Sequence, residues 1–74
     1  MYSLVGVDGN AYSIMGYTGN AMKHAGFSRD DIQTMYNEAK ASTYENLICV
    51  CSDYIDKVNE KLGLTEDDEE DDYE

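Results

Sequence analysis

The sequence predicts a mainly α-helical protein: a compact three-helix domain over residues 1–64, entered through a short extended N-terminal segment, with a disordered acidic C-terminal tail at 65–74. Three observations lead to this fold class. Proline is absent and five of the six glycines fall before residue 27, so helices can run uninterrupted after about residue 28. Apolar residues recur at steps of three and four through three segments, the period of an amphipathic helix. Half of the 16 acids lie in the last nine residues. Tyr73 is the one apolar residue beyond Thr65, too little to offset the entropy of ordering a self-repelling chain.

The elements follow in order. Leu4-Val5-Gly6-Val7 is short and β-favouring and predicts the extended entry. Asp8-Gly9-Asn10 is a turn signal, with Asn10 placed to cap a first helix. That helix runs from Ala11 to Ala25, where Ala11, Ile14, Met15, Thr18, Met22 and Ala25 form one face. Gly16 and Gly19 weaken it by up to about 1 kcal/mol each relative to Ala, so unless the helix breaks there they mark close approach of another backbone or of a ligand. Gly26 suits the left-handed residue after a helix, and Ser28 with Asp31 three places on opens the next, with Phe27 placed to staple against Ile32. This second helix, about 29 to 40, turns Ile32, Met35, Tyr36 and Ala39 inward, and Asp30 and Asp31 favour the positive end of its dipole. Ser42-Thr43-Tyr44-Glu45 reads as a second capping box. It opens the most regular stripe in the chain, Tyr44, Leu47, Ile48, Cys51, Tyr54, Ile55, Val58 and Leu62, on a helix of some nineteen residues closed by Gly63, with Leu64 able to fold back on Val58. Opposite that stripe lie Asp53, Asp56, Lys57, Glu60 and Lys61, with Asp53 and Lys57 spaced for an i, i+4 ion pair.

Composition then narrows the function. With 16 Asp plus Glu against 5 Lys plus Arg the net charge is -11, which excludes an ordinary basic nucleic-acid binder because few groups are present to neutralise phosphates. The charge is divided unevenly: residues 1–65 hold eight acids and five bases, a net -3, and the remaining eight acids are Glu66, Asp67, Asp68, Glu69, Glu70, Asp71, Asp72 and Glu74. A body of this size buries only about 60% of the surface its unfolded chain exposes, so its stability is modest without a staple. Cys49 and Cys51, two residues apart, do not suit an intrachain bridge, and one histidine without a Cys-x-x-Cys or His-x-x-x-His partner excludes a structural zinc site. Self-association is the remaining staple. No apolar run approaches the ~20 residues of a membrane span and none has signal-peptide character, so the expected location is cytoplasmic, in keeping with two free thiols.

Individual groups point away from catalysis. His24 has no nucleophile or second histidine at motif spacing and falls where an imidazolium favours a helix C-terminus. Gly6-Val7-Asp8-Gly9-Asn10 lacks the lysine of a P-loop and the third glycine of a dinucleotide fingerprint, and is read as a turn. The acidic tail lacks the glycine and alternating ligands of an EF-hand loop. Neither a catalytic residue, nor a cofactor, nor a metal ligand is assigned. Cys51 reads as a core residue, whereas Cys49 and Val50 fall off the stripe and offer an apolar contact surface. Seven tyrosines without tryptophan suit an interaction surface, although Tyr36, Tyr44 and Tyr54 are equally explained as core.

The stretch Leu4-Val5-Gly6-Val7-Asp8-Gly9-Asn10-Ala11-Tyr12-Ser13-Ile14-Met15-Gly16, followed by Ala25-Gly26-Phe27-Ser28 and Tyr44-Glu45-Asn46-Leu47, resembles small uncharacterised proteins of bacteria and their phages that open with a similar Val-Asp-Gly-Asn-Ala motif. That resemblance covers roughly the first 50 positions and implies a compact helical unit without an assigned activity. In size and charge the chain is also similar to anti-CRISPR proteins and other DNA mimics. The expected function is therefore a non-catalytic inhibitor of phage or mobile-element type that presents carboxylates to the basic groove of a nucleic-acid-handling partner such as a CRISPR effector, without itself binding nucleic acid or membrane. Its binding residues would be Asp53, Asp56 and Glu60 with the tail acids Glu66, Asp67, Asp68, Glu69, Glu70, Asp71, Asp72 and Glu74. The alternative is a self-associating helical adaptor, a possible homodimer, that docks through an apolar helix face including Cys49 and Val50.

Overall fold

A computed structural model describes residues 1–41 and 43–64; the tail expected at 65–74 lies outside the described residues. Three helices form, α1 (Ala11–His24), α2 (Arg29–Lys40) and α3 (Tyr44–Leu62), and each packs on the other two. Each start is fixed by a side chain that accepts from an orphan backbone N–H: Asn10 from Tyr12, Ser28 from Asp31 and Thr43 from Asn46. The third cap is Thr43, one residue later than the Ser42 box implies, because Asn46 rather than Glu45 then occupies the third helical position.

Glycine ends α1 and α3 in the same way. Gly26 has φ +88° and lets the Phe27 N–H donate to the Met22 carbonyl at 2.9 Å while its own N–H donates to Lys23 at 3.0 Å. Gly63, at φ +73°, does the same for Leu64 onto Asn59 and for itself onto Glu60.

The entry segment differs from expectation. Among the described residues there is no strand, and Leu4 to Val7 close into a β-turn, with the Val7 N–H donating to the Leu4 carbonyl at 3.1 Å. Gly6 sits at the third turn position with φ +88°, a conformation glycine reaches without cost, and this decides against an extended path through β-favouring neighbours.

The core is built from the three predicted stripes. Met22, Met35, Val58, Thr18 and Cys51 are fully buried, and each large apolar side chain so buried is worth about 1.5–3 kcal/mol. Thr18 satisfies its hydroxyl by donating to the Ile14 carbonyl at 2.9 Å. Ile32, Tyr36, Ile48 and Tyr54 pack at the edge of this core. The ends of the α3 stripe do not reach it. Tyr44 and Leu62, the first and last residues of α3, are exposed; at 1.5 Å per residue α3 is about 28 Å long against about 21 and 18 Å for α1 and α2. Leu64 is exposed as well.

The two helix-interior glycines have different roles. A Cβ on Gly19 would lie 2.9 Å from the Tyr36 hydroxyl, so the missing side chain lets α2 bring that ring against α1. Gly16 has nothing within 4 Å of that position. We expect Gly16→Ala to stabilise the fold by up to about 1 kcal/mol, a rise of roughly 4–8 °C in Tm for a domain of this size, in thermal melts followed by circular dichroism. Gly19→Ala should gain less or lose, and should recover its helix-propensity gain in a Tyr36→Phe background.

Candidate partner-binding surface

The surface that holds the expected site residues is assembled around a buried amide. Asn59 is 7% exposed, lies one turn beyond Ile55 on the inner side of α3, and pairs with the backbone of Tyr2 as another strand would. The Tyr2 N–H donates to Asn59 Oδ1 at 2.8 Å, and Asn59 Nδ2 donates to the Tyr2 carbonyl at 2.9 Å. Helix α1 holds the same segment from the other side. The Ser3 N–H donates to the Tyr17 hydroxyl at 3.0 Å, and the Tyr2 ring meets Tyr17 edge-on with centroids 6.0 Å apart. Tyr2 Oη and His24 Nδ1 are 3.1 Å apart, which gives the exposed histidine in the last turn of α1 a hydrogen-bonding role. Sequence reasoning missed Asn59, although a polar residue four places after Ile55, at a core position, is the pattern that calls for a dedicated partner.

Residues 1–5, held this way, form one wall of an open groove of about 620 Å³, and α3 forms the other. Met1, Val5, Ile55 and Leu64 supply its apolar surface, and Asp56 and Glu60 its charge. Val5, at the tip of the turn, is 90% exposed.

Asp53, Asp56 and Glu60 are all exposed, and at 100° per residue they fall on one stripe of α3 about 60° wide. Asp56 and Glu60 line the groove, and Asp53 continues the stripe beside it. The neighbouring lysines turn toward α2 and the α1–α2 corner. Lys57 Nζ lies 4.8 Å from the Tyr54 ring centroid and Lys61 Nζ 4.7 Å from that of Phe27, so Lys57, expected to serve Asp53, is placed over an aromatic face. The tail acids Glu66, Asp67, Asp68, Glu69, Glu70, Asp71, Asp72 and Glu74 lie outside the described residues.

Other expected features resolve more simply. Cys49 is exposed but Val50 packs against the core, which breaks the apolar surface expected at that pair. Gly6 to Asn10 serve as turn and cap, and the Tyr44 hydroxyl donates to the Gly9 carbonyl. Among the described residues no group of three or more histidines, cysteines and acids is placed to hold a metal, and no helix is long and apolar enough to cross a membrane. The chain matches no protein-family model, no curated protein and no solved structure.

Two groups carry shifted titration. Burial pushes the Cys51 thiol up, opposed by its hydrogen bond with Thr18. Burial also raises the Tyr54 phenol, aided by its 3.0 Å hydrogen bond to Glu38 and by the charges of Glu38 and Asp31. Both are acids held neutral by the fold, so their contribution to stability is intact below the ordinary values of 9.0 and 10.0 and is lost as pH rises through the folded-state values. Denaturant melts between pH 7 and 11 should show this alkaline loss, reduced in Cys51→Ala and in Tyr54→Phe. A thiol reagent at neutral pH should label Cys49 in the native protein and Cys51 only on unfolding.

Asn59→Ala should cost about 1–3 kcal/mol in urea unfolding and release the Tyr2 amide to fast hydrogen exchange. Asn59→Asp, which sets a carboxylate oxygen against the Tyr2 carbonyl, should cost at least as much at neutral pH. Wild-type stability in Asn59→Asp would show that the amide does not hold the segment.

Proposed function

We propose that the protein is a non-catalytic acidic binder that blocks a nucleic-acid-handling partner by presenting carboxylates to that partner's basic groove, as anti-CRISPR proteins and other DNA mimics do. The observation that carries this reading is the exposed stripe of Asp53, Asp56 and Glu60 on α3, from which Lys57 and Lys61 are turned away onto Tyr54 and Phe27. A row of carboxylates with its neighbouring cations engaged elsewhere offers a basic surface an attraction like that of a phosphate backbone. The eight acids of residues 66–74 add to it in charge, and the net -11 supports steered encounter with a cationic partner such as an RNA-guided CRISPR effector. Two free thiols suit work in a reducing cytoplasm.

The mechanism is competition. Carboxylates that occupy a groove built for phosphates exclude the nucleic acid, and the association rate falls steeply with ionic strength. Removing residues 66–74 together with Asp53→Lys, Asp56→Lys and Glu60→Lys should slow association with an RNA-guided nuclease by about tenfold or more at low salt, measured by surface binding kinetics, and should restore cleavage of its target DNA. Unchanged kinetics at physiological salt would reject the proposal.

A further inference from the structure

The carboxylate stripe borders a groove that also carries exposed apolar side chains, and a plain mimic of phosphate spacing has no use for those. Asp56, Glu60 and Ile55 line the groove from α3, Met1 and Val5 from the entry segment, and Leu64 from beyond the end of α3. Met1 is 62% and Val5 90% exposed, so the apolar side is open to a partner. The polar floor is already satisfied, because the Asn59 amide is spent on Tyr2. No side-chain cation stands among the residues that line the groove with its two carboxylates, and Met1, Val5 and Leu64 are open to an apolar side chain.

Two occupants are opposed by charge. A second copy would bring its own Asp56 and Glu60 against these in a two-fold arrangement, with -11 on each chain. The sequence that follows Leu64 in the same chain carries eight acids between 66 and 74 and would meet the same repulsion. A segment with lysine or arginine spaced around an apolar residue is complementary to both the carboxylates and the exposed apolar side chains.

We propose that the groove between residues 1–5 and α3 docks a short cationic amphipathic segment of the partner protein, its apolar side chain set against Met1, Val5 and Leu64 and its cations against Asp56 and Glu60. This rests on the acidic-binder reading and deepens it, because it places part of the affinity in an apolar contact that salt does not screen. The site would recognise a segment of the partner's chain in addition to a basic groove.

The test uses the full chain labelled with nitrogen-15 and three acetylated, amidated peptides: Lys-Leu-Leu-Lys-Leu-Leu-Lys, Lys-Gly-Gly-Lys-Gly-Gly-Lys and Glu-Leu-Leu-Glu-Leu-Leu-Glu. The first should shift the amide resonances of residues 2–5, Ser52, Ile55, Asp56, Asn59 and Glu60, and should bind at least tenfold more tightly than either control. Asp56→Lys with Glu60→Lys should weaken it about tenfold or more, and Val5→Ser should weaken it at both 50 and 500 mM salt. All substituted positions are exposed, and unchanged circular dichroism confirms that the variants fold. Equal binding of both lysine peptides, or shifts confined to residues 65–74, would overturn the groove while leaving the acidic-binder reading standing. Binding of neither lysine peptide at 50 mM salt would overturn both.

Discussion

The side-chain amide of Asn59 joins the beginning of the chain to its last helix, and much of the surface geometry depends on it. An amide offers a backbone N–H an acceptor and a backbone carbonyl a donor from one planar group that never ionises, and both bonds to Tyr2 are made. Without them the first residues would be held by Tyr17, by His24 and by the packing of Tyr2 and Leu4 against the core. The groove has no second wall unless residues 1–5 are held, so the site is a product of tertiary structure although its carboxylates belong to a single helix. A buried amide, unlike a carboxylate, does this without adding charge to an acidic chain.

The helical framework was legible in the sequence because it rests on local signals that do not conflict. Capping residues, two glycines past helix ends, and three stripes of period three and four all point to the same boundaries. Legibility fails where the outcome depends on something distant. Leu4 to Val7 have strand propensity, but among the described residues there is no strand to pair with, and Gly6 closes a turn instead. Tyr44 and Leu62 share the spacing of the core but, as the end residues of α3, are exposed. Gly16 and Gly19 look alike in sequence, and only the position of Tyr36 on another helix separates them. The carboxylate stripe was visible from spacing along α3. The groove beside it was not, because its other wall lies about fifty residues away in the chain.

The few cations are placed with equal consequence. Lys40, Lys57 and Lys61 lie over Tyr36, Tyr54 and Phe27, at 6.0, 4.8 and 4.7 Å from the ring centroids. Such contacts are worth about 0.5–1 kcal/mol at exposed sites, comparable to a surface ion pair, so little stability is lost by choosing rings over carboxylates. The choice matters more for the field of the protein. A lysine held over an aromatic face at the α2 side leaves the acids of α3 facing solvent as a group, whereas an i, i+4 pair would pin a positive charge among them.

Stability and charge are thereby separated. The interior is held by methionine, cysteine, valine and isoleucine packing, by caps, and by the Asn59 amide, none of which needs an ionised group. All eight acids of residues 1–64 are exposed, and the other eight lie in 66–74. Salt therefore acts mainly on what the surface meets, since exposed charges are screened within about 8–10 Å at physiological ionic strength while apolar burial is not. A protein arranged this way can carry a large negative charge for encounter without making its fold depend on that charge. In the proposed complex the groove beside Asp56 and Glu60 would extend the same division, with the carboxylates setting how fast a cationic partner arrives and Met1, Val5 and Leu64 how long it stays.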